Sequence, residues 1–238
     1  MRGLFVTGTG TGVGKTVLTA ALLAAAAADG ERVVAHKPVL TGLDEPPGEW
    51  PRDHELLALL AGVTPEEVAP LRYGPAVSPH LAAELAGARL DPAEVAARAV
   101  AALRDADARG AVAVVEGVGG LLVPLAERYL VRDLAVRLGL PLLIAAPAGL
   151  GTINHTLLTL EAARAAGLDV RAVVLTPWPA RPAALERSNR ETLARLGEVE
   201  VEVLPWLHGP EVAALADAGA QLPWQRWVTP ARRPPPPR

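Results

Sequence analysis

A chain of 238 residues, half of them hydrophobic but only 3% aromatic, has the material for one α/β domain whose core is built from Leu, Val, Ile and Ala rather than from rings. A formal net charge of −3, with no basic patch interleaved with aromatics, excludes the electrostatic footprint of a nucleic-acid binder, and the absence of cysteine excludes disulfides and thiolate metal sites. No charge-free apolar stretch of spanning length marks a membrane segment, and the N-terminus has no leader-like pattern, so the expected location is the cytoplasm.

The first predicted element is an apolar strand over 4–8, which runs straight into Gly8-Thr9-Gly10-Thr11-Gly12-Val13-Gly14-Lys15-Thr16 and then into an alanine- and leucine-rich helix over 15–28. Such a strand-loop-helix unit is a phosphate cradle. The small residues, with Gly12, Val13 and Gly14 closest to the helix, let backbone N–H groups converge on phosphate oxygens. Lys15 supplies a cation between the outer phosphates, and Thr16 offers its hydroxyl to magnesium. The ending Gly14-Lys15-Thr16 is standard for a nucleoside-triphosphate loop, but the glycine usually five positions before the last one is Thr9, with Gly8 one place earlier. The loop is a variant.

Further strands are predicted over 33–37, 112–116, 141–147, 170–176 and 201–204, and helices over 53–61, 92–109, 130–138, 153–166, 181–196 and 211–218. The runs carry little polar alternation, as expected of strands buried on both faces. Their alternation with helices predicts an α/β fold: a single P-loop NTPase-like domain with a mostly parallel central sheet, helices on both faces and its site along the carboxyl edge. Gly30, Gly62, Gly110, Gly139 and Gly167 fall where helices should end in left-handed caps. The interval 38–90 is expected to hold one helix and two irregular pieces, 41–52 and 70–79, of the kind that serve as functional loops. The domain is predicted to span 1–228, with a Pro/Arg-rich extended tail over 229–238.

Four places carry candidate chemistry. Lys37 ends the second strand and would emerge on the same edge as Lys15 if that strand adjoins the first; a solubilising strand end accounts for it equally well on spacing alone. Asp53 opens the 53–61 helix, where an Asp can cap or can complete a magnesium site that the phosphate loop leaves without a carboxylate. Glu116 closes an apolar strand and is followed by Gly117-Val118-Gly119-Gly120; a metal or water-shell role outweighs capping there, since an unpartnered buried charge is costly. Gly149-Leu150-Gly151-Thr152-Ile153-Asn154-His155 reads as a second loop-to-helix anion site in which Thr152 can cap and Asn154 adds an amide donor. No serine lies in a nucleophile elbow, and His36, His54, His80 and His208 form no metal-ligand spacing.

Taken together in order over residues 3–207, Val6-Thr7-Gly8-Thr9, Val13-Gly14-Lys15-Thr16, Lys37-Pro38, Ser78-Pro79-His80, Glu116-Gly117-Val118-Gly119-Gly120 with Pro124-Leu125, Gly151-Thr152-Ile153-Asn154-His155 and Pro205-Trp206-Leu207 resemble dethiobiotin synthetase. The resemblance implies ATP- and Mg2+-dependent ring closure of 7,8-diaminononanoate with CO2 to dethiobiotin, through a carbamate and a carbamic-phosphoric anhydride, usually in a homodimer. It implies that Thr11, Lys15 and Lys37 act on the reacting phosphate and carbamate, and that Thr16, Asp53 and Glu116 organise magnesium. Thr41, Gly117, Gly151, Thr152 and Asn154 would hold substrate, while Thr176, Pro205, Trp206 and Leu207 join the phosphate loop and Glu116 around the nucleotide. Three departures stand out. Gly10 and Gly12 replace acidic residues, Thr176-Pro177 replaces an Asn-Asp pair that reads adenine, and Ser188 replaces a tyrosine at the distal carboxylate. The alternatives are another ATP-dependent ligase or amidation enzyme retaining Lys15, Thr16 and Glu116, and a nucleotide-gated partition or positioning ATPase, which would carry a lysine early in the loop where Thr9 and Gly10 stand.

Overall fold

A computed structural model describes residues 1–46 and 48–229, so all of the tail expected over 229–238 except Thr229 lies outside the described residues. In chain order the elements are β1 (Arg2–Gly8), α1 (Lys15–Ala28), β2 (Val33–His36), β3 (Val39–Leu40), α2 (Asp53–Ala61), α3 (Pro65–Val68), β4 (Leu71–Arg72), α4 (Pro79–Leu85) and α5 (Pro92–Ala108). They continue as β5 (Val112–Glu116), β6 (Pro124–Ala126), β7 (Tyr129–Leu130), α6 (Val131–Leu138), β8 (Leu142–Ala146), α7 (Thr152–Ala165), β9 (Val170–Trp178), α8 (Ala184–Gly197), β10 (Glu200–Pro205), α9 (Val212–Ala220) and α10 (Trp224–Trp227).

Six of these strands form one sheet in the order β10-β9-β8-β1-β5-β2, and every pairing in it is parallel. The strand order reverses about β1, which lies between β5 and β8, and the crevice outside the carboxyl ends of strands at such a reversal is where ligands bind. The alternation of side chains along each strand divides the core in two. Leu4 and Val6 of β1 join Leu18, Leu22 and Leu23 of α1 on one face, while Phe5 joins Val131, Leu134 and Leu160 on the other. Helix α1 also packs closely on α9: a Cβ at Gly219 would lie only 2.0 Å from the Ala21 carbonyl oxygen, so glycine is required there.

The predicted parallel sheet with helices on both faces is borne out, and the five glycines expected as caps all adopt positive φ, between 63° and 81°. The interval 38–90 differs from expectation, since its described residues hold three helices rather than one. Their signals are short and local. Thr64 caps α3 by accepting from Glu67 N at 3.3 Å while the Glu67 carboxylate accepts from Thr64 N at 2.8 Å, and Pro65 and Pro79 open α3 and α4 with φ already set for a helix. The two irregular pieces are also bound to one another. Tyr73 N donates to Leu40 O at 2.9 Å, Gly42 N to Pro75 O at 3.1 Å and Asp44 N to Gly74 O at 2.8 Å, so these segments form one structure beside the sheet edge. Among the described residues no helix is long and apolar enough to cross a membrane.

Candidate active site

The phosphate loop leaves β1 at Gly8 and enters α1 at Lys15, with Gly12 and Gly14 at φ 73° and 88°. Glycine at position 8 has a steric reason: a Cβ there would meet Val13 Cγ2 at 2.6 Å and the Lys15 stem at 3.1 Å, because both side chains fold back over the strand end. Gly14 is equally constrained, since its Cβ would sit 2.7 Å from Thr176 Cγ2. Thr176, expected near the nucleotide, is buried against the loop it supports.

Lys15 is buried and donates from Nζ to Gly10 O at 2.7 Å, closing the loop on itself. Burial is the main reason its amine is lowered to about 8; Lys37 adds to that effect, while Glu116 and Asp53 oppose it. Thr16 points the other way and donates to Glu116 Oε1 at 2.9 Å. Glu116 is fully buried at the end of β5, and the same oxygen accepts from Lys37 Nζ at 2.6 Å. Its other oxygen, Oε2, is buried with no partner among the described residues.

Lys37 itself is only 3% exposed, and its ammonium also donates to Asp53 Oδ2 at 2.5 Å. Burial alone would push this amine down, yet the Glu116 and Asp53 carboxylates override it and hold the amine above its ordinary value. The Asp53 carboxyl is held below its usual range, where burial works against Lys37, the Thr16 hydroxyl and Lys15. Asp53 therefore does not cap its helix. The N-cap position belongs to Arg52, whose N–H is satisfied by Glu55 Oε2 at 3.1 Å, which leaves Asp53 free to face Lys37.

A cavity of about 640 Å3 opens over these groups and is lined by Thr11, Gly12, Gly14, Lys15, Thr16, Lys37, Thr41 and Asp53. Its far wall comes from Ala76, Val77, Ser78 and Pro79, and from Val118, Gly119 and Val123. Ser78 and Pro79, like Val118 and Gly119, belong to motifs that the sequence singles out, whereas Ala76, Val77 and Val123 carry no signal of their own. Gly117 is turned away from the cavity: a Cβ there would strike Val131 Cγ1 at 2.9 Å and Phe5 Cε1 at 3.2 Å, so packing under the sheet, rather than approach to a ligand, requires glycine.

Gly151, Thr152 and Asn154 are not brought to this cavity. Gly151, at φ 90°, is the N-cap of α7, and Thr152 is not a cap; it lies inside the helix with its hydroxyl 3.3 Å from that of Thr156. Asn154 is exposed on the first turn. Beneath them, buried Asn189 fixes the preceding loop by donating to Ala148 O at 2.9 Å and Gly149 O at 3.0 Å, a role that no sequence motif announces. Ser188 beside it is exposed. Pro205, Trp206 and Leu207 lie at the end of β10 outside the cavity, where Trp206 N donates to Trp178 O at 3.0 Å and the Trp206 ring is 59% exposed.

Among the described residues no group of three or more His, Cys, Asp or Glu side chains gathers as a metal cage. Thr16, Asp53 and Glu116 nonetheless form a set of hard oxygen donors beside a phosphate loop, and the orphaned Glu116 Oε2 gives that set an acceptor with no other use. Such a set suits magnesium, which takes a few protein oxygens and completes its shell with phosphates and water.

A family model described as an AAA domain matches residues 2–209. An ATP-dependent dethiobiotin synthetase of Anaeromyxobacter dehalogenans is 45% identical over 219 residues, covering 91% of this chain and 94% of its own. One of Mycobacterium marinum is 43% identical over 229 residues, covering 96% and 98%. Among solved structures, the signal recognition particle receptor FtsY from Elizabethkingia anophelis in complex with GDP has a TM-score of 0.52 at 13% identity; the match covers 93% of this chain and 64%, under two thirds, of FtsY. Cyanthece apo McdA has a TM-score of 0.51 at 13% identity, covering 92% and 90%. The structural likenesses speak for the fold alone, whereas relatives this similar along nearly their whole length place the chain in the family of ATP-dependent dethiobiotin synthetases.

Proposed function

We propose that this chain uses ATP to carboxylate 7,8-diaminononanoate with CO2 and close the ureido ring, releasing dethiobiotin, ADP and phosphate. The observation that carries the reading is the meeting of Lys15, Lys37, Thr11 and Thr41 on one cavity at the carboxyl edge of the sheet. Carbamate and γ-phosphate are both anionic, so joining them requires fixed cations and directed donors at the point of contact. Two lysines about a phosphate loop answer that need. Lys15 and the loop N–H groups orient the triphosphate, Lys37 stabilises charge on the carbamate, and Thr11 donates to the transferred group. Thr16, Asp53 and Glu116 would hold magnesium, which supplies neutralisation at the β and γ phosphates. The half-buried segments about Thr41 and Ala76–Pro79 keep water from an acyl-phosphate-like intermediate that would otherwise hydrolyse.

The reading includes a homodimer working in the cytoplasm, with the substrate site at or near the subunit boundary. Exposed Leu122, Leu150 and Leu158, which lie around the groove and loop beside α7, support the subunit boundary there. In that arrangement Gly151 and Asn154, outside the chain's own cavity, hold the diamine's distal carboxylate, buried Thr152 fixes the helix turn that carries them, and Gly117 backs the site through the wall it packs. Thr176, Pro205, Trp206 and Leu207 bound the base of the nucleotide. The test is to mix purified protein with magnesium-ATP, bicarbonate and the diamine while following phosphate and ring product together. Equal amounts of both are expected; phosphate released without dethiobiotin overturns the reading.

A further inference from the structure

The Lys37 ammonium stands between Asp53 Oδ2 at 2.5 Å and Glu116 Oε1 at 2.6 Å, and the Thr16 hydroxyl lies 2.9 Å from the same Glu116 oxygen. These are the donors assigned above to a divalent ion, so a cation belonging to the chain already sits among them. We propose that Lys37 and the divalent ion compete for the same carboxylates, and that arrival of the metal expels the Lys37 ammonium into the cavity where the reacting anion lies. The inference rests on the metal portion of the functional reading and not on the identity of the diamine.

Charge and space both favour exchange over coexistence. One ammonium against two carboxylates leaves a negative charge over, which a divalent ion removes. Both cations together would leave a positive charge over at a place where Glu116 is fully buried and Lys37 nearly so. Like charges a few ångströms apart beside a fully buried carboxylate repel strongly. Glu116 Oε2, buried and unpartnered, offers the metal a second oxygen that the ammonium does not use.

Lys37 has somewhere to go, because its side chain lines the same cavity as Thr11, Lys15 and Thr41. Its backbone does not need to move: Lys37 N donates to Val68 O at 2.8 Å, and Pro38 restrains the residue before it to an extended conformation. The swing is therefore one of side-chain torsions between staggered positions. Metal binding would thus do more than neutralise phosphates. It would deliver the lysine to the reacting carbamate only when the metal is in place, holding the site inactive towards unmetallated nucleotide.

Mn2+ titrated into the full-length wild type and Lys37→Met, followed by electron paramagnetic resonance without nucleotide, tests the competition. The variant should bind Mn2+ at least about tenfold more tightly, since it lacks the competing charge; equal or weaker binding overturns the proposal. Because Lys37→Met leaves two carboxylates unpaired and can fail to fold, the wild type supplies an independent measurement. Reductive methylation of Lys37, read by mass spectrometry with ADP alone and with ADP plus saturating Mn2+, should increase when the metal is added. Unchanged or reduced labelling overturns the proposal. Dethiobiotin formation by the unlabelled wild type separates the two readings: exchange without product defeats the synthetase assignment alone, and product without exchange defeats the competition alone.

Discussion

Lys37 and Glu116 meet although 79 residues separate them, because β2 and β5 pair in parallel with His36 opposite Val115, and each residue is the next one beyond that last rung. Both side chains therefore emerge at the same level on the carboxyl edge, beside the phosphate loop of the next strand over. The contact is a consequence of register, which turns two unrelated strand ends into one charged centre.

Lys37→Ala should lower turnover by roughly 100- to 1,000-fold, the usual cost of removing a donor that stabilises charge developing in the transition state. Nucleotide affinity should change far less, because Lys37 faces the carboxylates and cavity rather than the loop backbone. Single-turnover kinetics alongside nucleotide titration read the two effects separately, and parallel losses in both would contradict the role.

Lys15 gives nucleotide binding an alkaline limb. Its amine is lowered to about 8 chiefly by burial, and a bound polyphosphate favours the ammonium, so binding is accompanied by proton uptake above that value. Affinity should fall by roughly tenfold per pH unit above about pH 8 until the amine's value in the complex is reached. Lys15→Arg, which stays charged throughout, should flatten the curve whatever its absolute affinity. Calorimetric titration of both proteins across this range is the measurement; a flat wild-type profile defeats the assignment.

His36 sets an acid limit on stability. Both ring nitrogens are buried without partners among the described residues, and burial, assisted by the Arg98 charge, lowers the imidazole from 6.5 to about 4. The unfolded chain consequently binds a proton that the folded chain refuses. Stability is full above about pH 6.5 and is lost as pH falls towards about 4, by roughly 3 kcal/mol in all. Urea denaturation of the wild type and His36→Leu over this interval should show the wild type losing the larger amount. Identical slopes in the two proteins would remove His36 as the cause.

Gly219 controls the approach of α9 to α1. The added carbon of Gly219→Ala would lie 2.0 Å from the backbone oxygen of Ala21, and a neighbouring side chain cannot relieve the clash by turning. The helices must separate, at a cost of about 3 kcal/mol and a melting-temperature loss of roughly 8 °C. Gly48→Ala, where no atom of the described residues lies within 4 Å of the added carbon, is the control and should melt close to wild type. Calorimetry of the pair checks both expectations.

The strand run Val112–Glu116, the helices opening at Lys15 and Asp53, and the glycine caps were legible in the amino-acid order because each depends on neighbours within a few residues. Apolar run length, helix propensity and left-handed glycine turns are local properties, and so is the convergence of N–H groups in the phosphate loop. Helices α3 and α4 were missed although their signals, the Thr64–Glu67 pair and the prolines at 65 and 79, are just as local; they are short, with too few turns to show a period. What surrounds the loop was not local. That Lys37 bridges Asp53 and Glu116, that Thr176 supports Gly14, and that Gly151 and Asn154 lie away from the cavity all follow from strand order and register. By itself the sequence determined the elements and the nucleotide loop. Only the tertiary structure decided which charges share one buried space, because that pairing is set by packing the whole sheet against two helical layers rather than by any short stretch of chain.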